Sequence, residues 1–582
     1  MASFYDVVSP VLTDHLNMLT ILALITAVAV QVLLWPLFSR WNQYRQHRTA
    51  HYITDHRKGR TQGSPAAPYE DMPRMEGPSA DYLRKLFDNP VYLHQYVALA
   101  HKQKGPVFRD GLGGPVDLVF LADPSCVGAV QRASGPYPGH VVPDAWTLYL
   151  RIRDRKRGLF FMDGEEWAVH RKILNQRLLR TQNLKMHVSA LGSSTATLVE
   201  TMWARQQDNT LNDTLLTALY RWSLESMFAV ALGQRIGTFS CDEDSDACFN
   251  EFVDAIHNIF EQTAAMGQMP AAAAMEQQTD AWCKFSCACD TALDIASRYT
   301  TEAIRESHRR QTAGEPSECL LDQLLYEDHL SQDMVSRLIV DLFLAAADTT
   351  VWTANWLLYV LGRHRCHADA AREQLLNLQP SVLDSDGNLA LEQDDLKRLS
   401  ECRNILKETL RLYPVAPFLT RLLAQDSIIA GYHVPKNTMS IVSVCSIGRD
   451  PKYYENPLKF DPQRWHERPR DACSSTDKVA TSHREDNGVN STNVGPNPGT
   501  QNKGSRAERQ DQCMGPASLS SLPWGVASRN CVGRTLAETL LTLFVAHMIK
   551  NFYISVKNEN IHMKMQMISV PSESLDIELK RV

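Results

Sequence analysis

A cysteine near the end of the chain, Cys531, constrains the fold strongly. It lies in the segment PWGVASRNCVGRTLAE, two residues after Arg529 and two before Gly533, and an apolar helical pattern begins near Arg534. A sulfur at such a loop-to-helix junction is close to backbone N–H groups and to the helix N-terminus, which stabilise a thiolate. Backbone hydrogen bonds of this kind are typical of a metal-ligating thiolate. Taken alone, however, a cysteine near an arginine is more often structural.

The composition describes a globular protein with a large core. The chain has 582 residues, of which 44% are hydrophobic and 22% are charged. A net charge of −6 gives no indication of nucleic-acid binding. The 13 cysteines show no regular spacing, which argues against a secreted disulfide framework and favours a reducing compartment.

The hydrophobic periodicity predicts a mainly α fold with a minor β part. Apolar residues recur at helical spacing in Leu215–Leu232 and Phe249–Met266, and Ser331–Arg363 is one long apolar helical pattern. Ile428–Ser446 and Met563–Ile568 change toward alternation, which indicates strands.

The N-terminal region predicts a membrane anchor. Residues 15–39 contain no Asp, Glu, Lys or Arg and are long enough to cross a bilayer, and they follow a short tail, residues 1–14. Basic residues after the apolar run place the rest of the chain on the cytoplasmic side by the positive-inside rule. A buried helix is the alternative, whereas a signal peptide or a transit peptide fits poorly. Residues 40–78 are basic and then rich in Pro and Gly, so we expect a linker before the main domain, residues 79–582.

One segment inside the main domain lacks the residues of a core. Residues 466–518 contain no Ile, Leu, Phe, Tyr or Trp and are dense in Asn, Ser, Gly, Pro and charge. Such a segment cannot bury enough apolar area to offset its ordering entropy, so we expect a disordered insertion.

The Cys531 segment resembles the haem-binding loop of the cytochrome P450 family, whose pattern is Phe/Trp-Gly-x-Gly-x-Arg-x-Cys-x-Gly. It departs from the pattern at Ala527, where the family usually has glycine. The resemblance implies the P450 fold with haem b held by Cys531 as the axial ligand of the iron. It further implies that Gly533 permits close approach of the backbone and that Arg529 pairs with a propionate.

A second motif of the family lies upstream in KETLRLYP. Glu408 and Arg411 stand three residues apart on one helical face, and Arg464 follows in FDPQRW. The resemblance implies that these three side chains form a buried ion-pair network. A surface pair contributing about 0.3 kcal/mol is the alternative, and the order of the motifs argues against it.

A third motif, AAADTT, lies in the middle of the long apolar helical pattern. Asp348 and Thr349 are costly to bury there unless they have a function. A threonine can hydrogen-bond the carbonyl four residues back and open the helix for water. The resemblance implies that the pair guides protons to bound O2. Ala346 stands where glycine is common, so we expect a shallower kink.

Further residues match positions that hold the cofactor. Trp167 and Arg171 are four residues apart and share a helical face, and in the family this pair reaches a propionate. Arg421 in FLTRLL matches a further propionate arginine.

The branch of the family is indicated by smaller features. Arg403 and Lys407 form an i,i+4 basic pair that in the mitochondrial clan docks a ferredoxin of the adrenodoxin type, although a solvated face is equally compatible with the spacing. The pattern of residues 157–175 is similar to that of the arthropod ecdysteroid hydroxylases of this clan, and most of all to the C-2 hydroxylases. The predicted anchor instead suits the endoplasmic reticulum and a diflavin reductase, so the sequence leaves the mitochondrial inner membrane and the reticulum open.

Apolar residues near the predicted cofactor predict a pocket for a lipophilic molecule, most plausibly a steroid. The candidate pocket residues are Leu344, Ala345, Val415, Phe418 and Leu419.

Together the motifs predict a membrane-bound monooxygenase that inserts one oxygen atom of O2 into a steroid C–H bond, with NADPH-derived electrons delivered by a partner. Two alternatives are a haem-thiolate isomerase or dehydratase that needs no external electrons, and a haem sensor without turnover. Isomerases of this kind often lack the acid–alcohol pair, so Asp348 and Thr349 argue against the first alternative.

Overall fold

The computed structural model describes residues 66–75, 92–112, 116–235, 243–266, 269–315, 319–378, 389–466 and 521–582. The helices in this part are α1 Leu93–Lys104, α2 Pro124–Ala133, α3 Asp144–Ile152, α4 Gly164–Leu178, α5 Thr181–Leu184, α6 Val188–Gln207, α7 Leu211–Leu232, α8 Glu243–Ala265, α9 Ala271–Glu276, α10 Asp280–Ala313, α11 Leu320–Leu325, α12 Gln332–Arg363, α13 Arg365–Leu378, α14 Gln393–Arg398, α15 Ser400–Leu412, α16 Val444–Gly448 and α17 Arg534–Asn551. The strands are β1 Val107–Asp110, β2 Leu118–Leu121, β3 Phe418–Leu422, β4 Ser427–Ile429, β5 Tyr432–Val434, β6 Met439–Ser443, β7 Phe552–Val556, β8 Met563–Gln566, β9 Ile568–Pro571 and β10 Ile577–Arg581. The predicted fold class, mainly α with a minor β part, is confirmed.

Helix α12 runs through the main hydrophobic core. Its 32 residues begin after Ser331, whose side chain accepts a hydrogen bond from the Met334 N–H and so caps the helix. The apolar residues of its second half are buried on all sides, and the helix packs against α7, α10, α15 and α17. A helix that is apolar all round is stable only when it is surrounded in this way.

Helix α17 forms a buried support directly after Cys531. It begins at Arg534, and nearly all residues from Leu536 to Ile549 are buried. The helix packs against α6, α13 and α15. The loop that carries the cysteine is therefore attached to a rigid element at its C-terminal end.

The largest sheet orients Arg421 toward the interior. Its strand order is β1-β2-β6-β3, with β2 parallel to β6 and the other pairs antiparallel. Arg421 on β3 lies opposite Ser440 on β6 and is only 6% exposed. Successive side chains of a strand point to opposite faces, which explains how a β-strand at the edge of the sheet buries an arginine.

Part of the region that the sequence assigns to the linker contacts the main domain. Ala67 forms a bridge with Tyr432 on β5, and Arg74 forms one with Arg109 on β1. Residues 66–75 thus pack along these two strands.

Several predictions fall outside the described residues. These are the tail 1–14, the anchor 15–39, most of the linker 40–78, and all of the insertion 466–518 except His466. Within the part of the chain that the structure describes, no helix combines the length and the apolar character needed to cross a bilayer.

Candidate haem site

Cys531 lies between a 3-10 segment, Ala527–Arg529, and the start of α17. Its backbone N–H donates to the Trp524 carbonyl at 2.7 Å, which closes the loop. The residue is exposed. Partial burial raises the pKa of the thiol, whereas the Gly533 N–H and the charge of Arg171 lower it. An accessible thiol with a backbone donor and a nearby cation is suited to bind a metal ion as a thiolate.

Two residues of the loop adopt the left-handed backbone region. Gly525 has a φ of 81° and Ala527 has a φ of 56°. A Cβ atom costs roughly 1–2 kcal/mol in this region, and glycine avoids that cost. The departure from the family pattern at Ala527 therefore places a Cβ atom at a backbone position that strains it.

Three arginines converge beside the cysteine loop from α4, β3 and the loop itself. Arg529 donates to the carbonyls of Pro138 and Met162 at 2.8 Å, and Arg421 donates to the Val526 carbonyl at 3.1 Å. Arg171 donates to the backbone and side-chain oxygens of Asn530 at 2.5 and 2.7 Å. We call Arg171, Arg421 and Arg529 the arginine cluster.

The arginine cluster carries more positive charge than its surroundings neutralise. Burial, together with the charge of Arg529, lowers the pKa of Arg421 to about 10. Burial also lowers the pKa of Arg171 to about 10, with Cys531 acting in the opposite direction and Arg529 in the same one. Among the described residues, the acid in contact with Arg529 is Asp163, at 2.8 Å, and its side chain is 60% exposed. Buried cations without matching anions are costly. The cluster therefore fits a ligand that brings carboxylates, as haem b does with its two propionates.

Trp167 and His140 complete the wall around the cluster. The Arg529 guanidinium lies 4.1 Å from the centre of the Trp167 ring, and Trp167 is 3% exposed. Among the described residues, the buried Nδ1 atom of His140 has no hydrogen-bond partner, and the Asp163 carboxylate is 3.9 Å away. Burial, together with the charges of Arg529 and Arg421, lowers the pKa of His140 to about 4, although Asp163 acts in the opposite direction. A neutral imidazole with an unsatisfied nitrogen is a further group suited to a hydrogen-bonding ligand.

The middle of α12 is open on one side. Ala345 and Thr349, one turn apart, are exposed, although the helix is otherwise deeply buried. Thr349 donates its hydroxyl to the Ala345 carbonyl at 2.9 Å, and Ser223 on α7 donates to the Ala346 carbonyl at 3.2 Å. Both hydroxyls donate to carbonyl oxygens of α12 that also take part in the helical hydrogen bonding. Helix α12 nevertheless continues through this segment without a break.

Asp348 has different surroundings from its neighbour Thr349. It is 1% exposed, and one carboxylate oxygen accepts a short hydrogen bond from the Tyr220 hydroxyl on α7. Burial raises the pKa of Asp348 to about 7, although the hydrogen bonds from Tyr220 and Trp352 act in the opposite direction. The acid is therefore poised to exchange a proton near neutral pH.

The Glu408 side chain is the centre of a completed network. Arg411 donates to both of its oxygens at 2.7 and 2.9 Å, and Arg464 donates at 2.9 Å. Trp465 adds its indole N–H at 2.8 Å, and Asp461 adds its backbone N–H at 2.9 Å. Arg411 also donates to the Gly448 and Pro457 carbonyls. Both guanidiniums contact the Glu408 carboxylate, and both of its oxygens are hydrogen-bonded, so the network is satisfied by protein groups alone.

The candidate pocket and docking residues differ in how far they are exposed. Leu344 is partly buried against the main core, Val415 is buried, and Phe418 and Leu419 on β3 are partly exposed. Lys407 is exposed on α15, whereas Arg403 is half-buried and donates to the Lys397 carbonyl at 2.8 Å. The two basic residues therefore differ in how far they present their charge to a partner.

Sequence reasoning did not single out Tyr220, His140, Asn530 or Trp465. Asn530 and Trp465 adjoin predicted residues, so their positions offered a signal. Tyr220 and His140 lie in segments that carry no family motif, and only the tertiary structure brings them to the site.

Comparisons with known proteins agree with this geometry. A sequence model of the family described as Cytochrome P450 matches residues 86–481 and 507–579, and the gap falls inside the predicted insertion. Cytochrome P450 315a1, mitochondrial, of Drosophila melanogaster is 30% identical over 536 residues, covering 88% of this chain and 89% of that protein. Cytochrome P450 11B, mitochondrial, of Aquarana catesbeiana is 26% identical, covering 92% and 93%. The mitochondrial cholesterol side-chain cleavage enzyme of Oncorhynchus mykiss is 26% identical, covering 84% and 85%.

The match extends over most of the chain and includes the Cys531 loop, the arginine cluster and the Glu408 network. The chain therefore belongs to the cytochrome P450 family, the monooxygenases that contain haem b and use O2 with electrons from a redox partner.

Proposed function

We propose that this monooxygenase hydroxylates a steroid, and that the substrate is an ecdysteroid precursor oxidised at C-2. The observation that carries the proposal is the site itself, in which the accessible Cys531 thiol and the arginine cluster lie in a domain whose buried helix α12 exposes Ala345 and Thr349. The name of the trout relative, a cholesterol side-chain cleavage enzyme, supports a steroid substrate. The resemblance of residues 157–175 to the ecdysteroid C-2 hydroxylases supports the narrower assignment.

The residues assigned to the cofactor have different roles in binding it. Cys531 would bind the iron, and Arg421 and Arg529 would pair with the propionates, while Trp167 packs against Arg529. Arg171 braces the cysteine loop through Asn530 and adds positive charge near the sulfur. When bound, the haem supplies the iron that activates O2, and its thiolate ligand favours O–O cleavage.

Asp348 and Thr349 supply protons, and the apolar residues position the substrate. The Asp348 carboxyl gives up a proton near neutral pH, and the Thr349 hydroxyl lies on the open side of α12. Leu344, Ala345, Val415, Phe418 and Leu419 offer apolar contacts to a steroid ring system. Fixing the substrate in one orientation decides which C–H bond is oxidised.

One buried acid supports a substrate with hydroxyl groups. Asp341 lies one turn before Ala345 on α12, and its carboxylate accepts the Phe160 N–H at 3.1 Å. It packs against Gly158, where an added Cβ would approach Oδ2 within 2.2 Å. Burial raises the pKa of Asp341 to about 7. A carboxyl of this kind can donate or accept a hydrogen bond, which a polyhydroxylated steroid would satisfy.

For the redox partner we propose a ferredoxin, and for the compartment the mitochondrion. The names of the Drosophila, frog and trout relatives all include the word mitochondrial. Lys407 is exposed on α15 and is the better placed of the two predicted docking residues for an acidic partner.

A reconstituted turnover assay tests the proposal. The holoenzyme is supplied with NADPH and either a ferredoxin with its reductase or a diflavin reductase, and a 2-deoxyecdysteroid is followed by mass spectrometry. We expect a gain of one oxygen atom at C-2 with the ferredoxin system. Hydroxylation of cholesterol or fatty acids in preference to the ecdysteroid would contradict the substrate assignment. Product formation without NADPH would favour the isomerase alternative.

A further inference from the structure

Among the residues that the structure describes, no cationic side chain acts on the carboxyl of Asp348. The groups that act on its pKa besides burial are the Tyr220 hydroxyl and the Trp352 side chain. Burial likewise raises the pKa of Tyr220 well above its usual value, and Asp348 adds to the effect. An acid that must exchange protons during turnover therefore has a phenol, and not an ion pair, as its immediate partner. A phenol can accept one proton while it donates another.

The Tyr220 hydroxyl has a second titratable neighbour. It lies 3.4 Å from Nδ1 of His257 on α8, and the two rings are in edge-to-face contact with centroids 6.4 Å apart. The exposed fraction of the residue rises from Asp348 through Tyr220 to His257. Asp348 is 1% exposed and Tyr220 is 3% exposed, whereas His257 is partly exposed. The three side chains thus connect the interior of α12 with the outer part of α8.

We propose that His257 and Tyr220 form a proton relay that reloads Asp348 from solvent. The relay rests on the proposed role of Asp348 and Thr349 as the proton pair of the monooxygenase. Histidine suits the outer position because one ring nitrogen can donate a proton while the other accepts one. Tyr220 suits the inner position because its hydroxyl already donates to Asp348 and faces Nδ1 of His257.

The relay is balanced in protons and breaks only O–H and N–H bonds. When Asp348 gives up its carboxyl proton, its oxygen accepts the Tyr220 hydroxyl proton. Tyr220 accepts the Nδ1 proton of the His257 imidazolium in the same sequence, and His257 regains a proton from water. No residue is changed after one cycle. Monooxygenation consumes two protons for each water formed, so the relay operates twice per turnover.

Two cations near α8 are engaged at earlier turns of the helix. Helix α8 packs against α7, α10, α12 and β8. Arg221 on α7 donates to Asn250 at 2.9 Å, and Arg298 on α10 donates to Cys248 at 2.6 Å. Both contacts lie about two turns or more before His257 on α8. Asp254 and Glu261 lie about one turn before and after His257 on α8 itself, and Lys564 lies on β8. The pH dependence of the relay should therefore reflect its three members together with these neighbouring charges.

The test compares Tyr220→Phe and His257→Gln with the matched control Tyr359→Phe. Tyr359 is also a buried tyrosine, but it contacts Trp356 and Tyr413. The assay uses the reconstituted holoenzyme with a 2-deoxyecdysteroid. We expect Tyr220→Phe to lower the product formed per NADPH by about ten-fold, which is less than the loss expected when a proton donor itself is removed. Peroxide release and the solvent deuterium isotope effect should rise, while substrate affinity measured by the spin-state shift stays the same. His257→Gln should shift the pH profile, and Tyr359→Phe should match the wild type.

An infrared titration tests the relay independently of turnover. The C=O stretch of the protonated Asp348 carboxyl is assigned by its loss in Asp348→Asn. We expect Tyr220→Phe to move this band to higher frequency and to change its titration midpoint. Unchanged coupling, isotope effect and carboxyl band in Tyr220→Phe would overturn the relay. If the wild type does not hydroxylate the ecdysteroid, the proposed substrate fails, and the infrared result still decides the relay.

Discussion

The Glu408 network and the arginine cluster both bury arginines, but they satisfy their charge differently. Glu408 is surrounded by two guanidiniums, an indole N–H and a backbone N–H, all between 2.7 and 2.9 Å. Arg171, Arg421 and Arg529 instead donate mainly to neutral oxygens, and within the described part of the chain the acid that they contact, Asp163, is largely exposed. The comparison indicates that the Glu408 network stabilises the fold, whereas the arginine cluster is arranged to bind a negatively charged ligand.

The largest effect is expected from breaking the completed network. Glu408→Gln leaves Arg411 and Arg464 buried without a counter-charge, which costs about 3–5 kcal/mol. Chemical denaturation followed by circular dichroism measures this loss of unfolding free energy. The matched control is Glu538→Gln, which removes a more exposed i,i+4 pair with Arg534 and should change stability by less than about 0.5 kcal/mol. Equal effects of the two variants would contradict the distinction.

Removing one arginine from the arginine cluster should leave the apoprotein at least as stable, but it should weaken haem binding. Arg421→Met relieves a buried charge, so the apoprotein should be as stable as the wild type or more stable. Haem release should accelerate by roughly ten- to hundred-fold, because a hydrogen bond to a charged group is lost. Melting of the apoprotein and transfer of haem to apomyoglobin measure the two effects. Destabilisation of the apoprotein by several kcal/mol would show that Arg421 is structural.

The same comparison applies to acids, since Asp341 lacks the ion pairs that Glu408 has. Burial raises the pKa of Asp341 from 3.8 to about 7, so the folded state binds more protons between these values. Its contribution to stability is therefore present at low pH and is lost as pH rises from about 4 to 7. Asp341→Asn should flatten this part of the profile of unfolding free energy against pH.

Asp333 provides a control with the opposite sign. A hydrogen bond from Lys156 lowers its pKa, so the stability it adds is lost as pH falls. Asp333→Asn should therefore weaken the protein at neutral pH relative to acid pH. Identical pH profiles for Asp341→Asn and the wild type would contradict the assignment of a raised pKa.

The smallest effect is expected in the cysteine loop. Ala527→Gly removes a Cβ from a residue with a φ of 56° and should stabilise the holoenzyme by about 1 kcal/mol. Ala537→Gly, in the regular helix α17, should destabilise it by a similar amount. Thermal melting of the two variants measures both. A loss of stability in Ala527→Gly would mean that the methyl group makes contacts that outweigh its backbone strain.

The sequence predicted the fold class and the residues that carry motifs, because periodicity and local spacing are properties of the chain itself. Ser331–Arg363 became α12 with Ser331 as its cap, and the three members of the Glu408 network meet in the structure. The partners of Asp348 could not be predicted in the same way. Tyr220 is 128 positions away in the chain, and its segment reads as an ordinary buried helix. The positive φ of Ala527 likewise depends on the closed loop, which composition does not specify.

Binding of the haem iron by Cys531 is tested most directly by the difference spectrum of the reduced protein with carbon monoxide. The wild type and the control Cys445→Ala, which changes a buried cysteine on α16, should both show the strongly red-shifted Soret band of thiolate ligation. Cys531→Ala should lose this band. A wild-type spectrum typical of imidazole ligation, or a red-shifted band that survives in Cys531→Ala, would contradict the account.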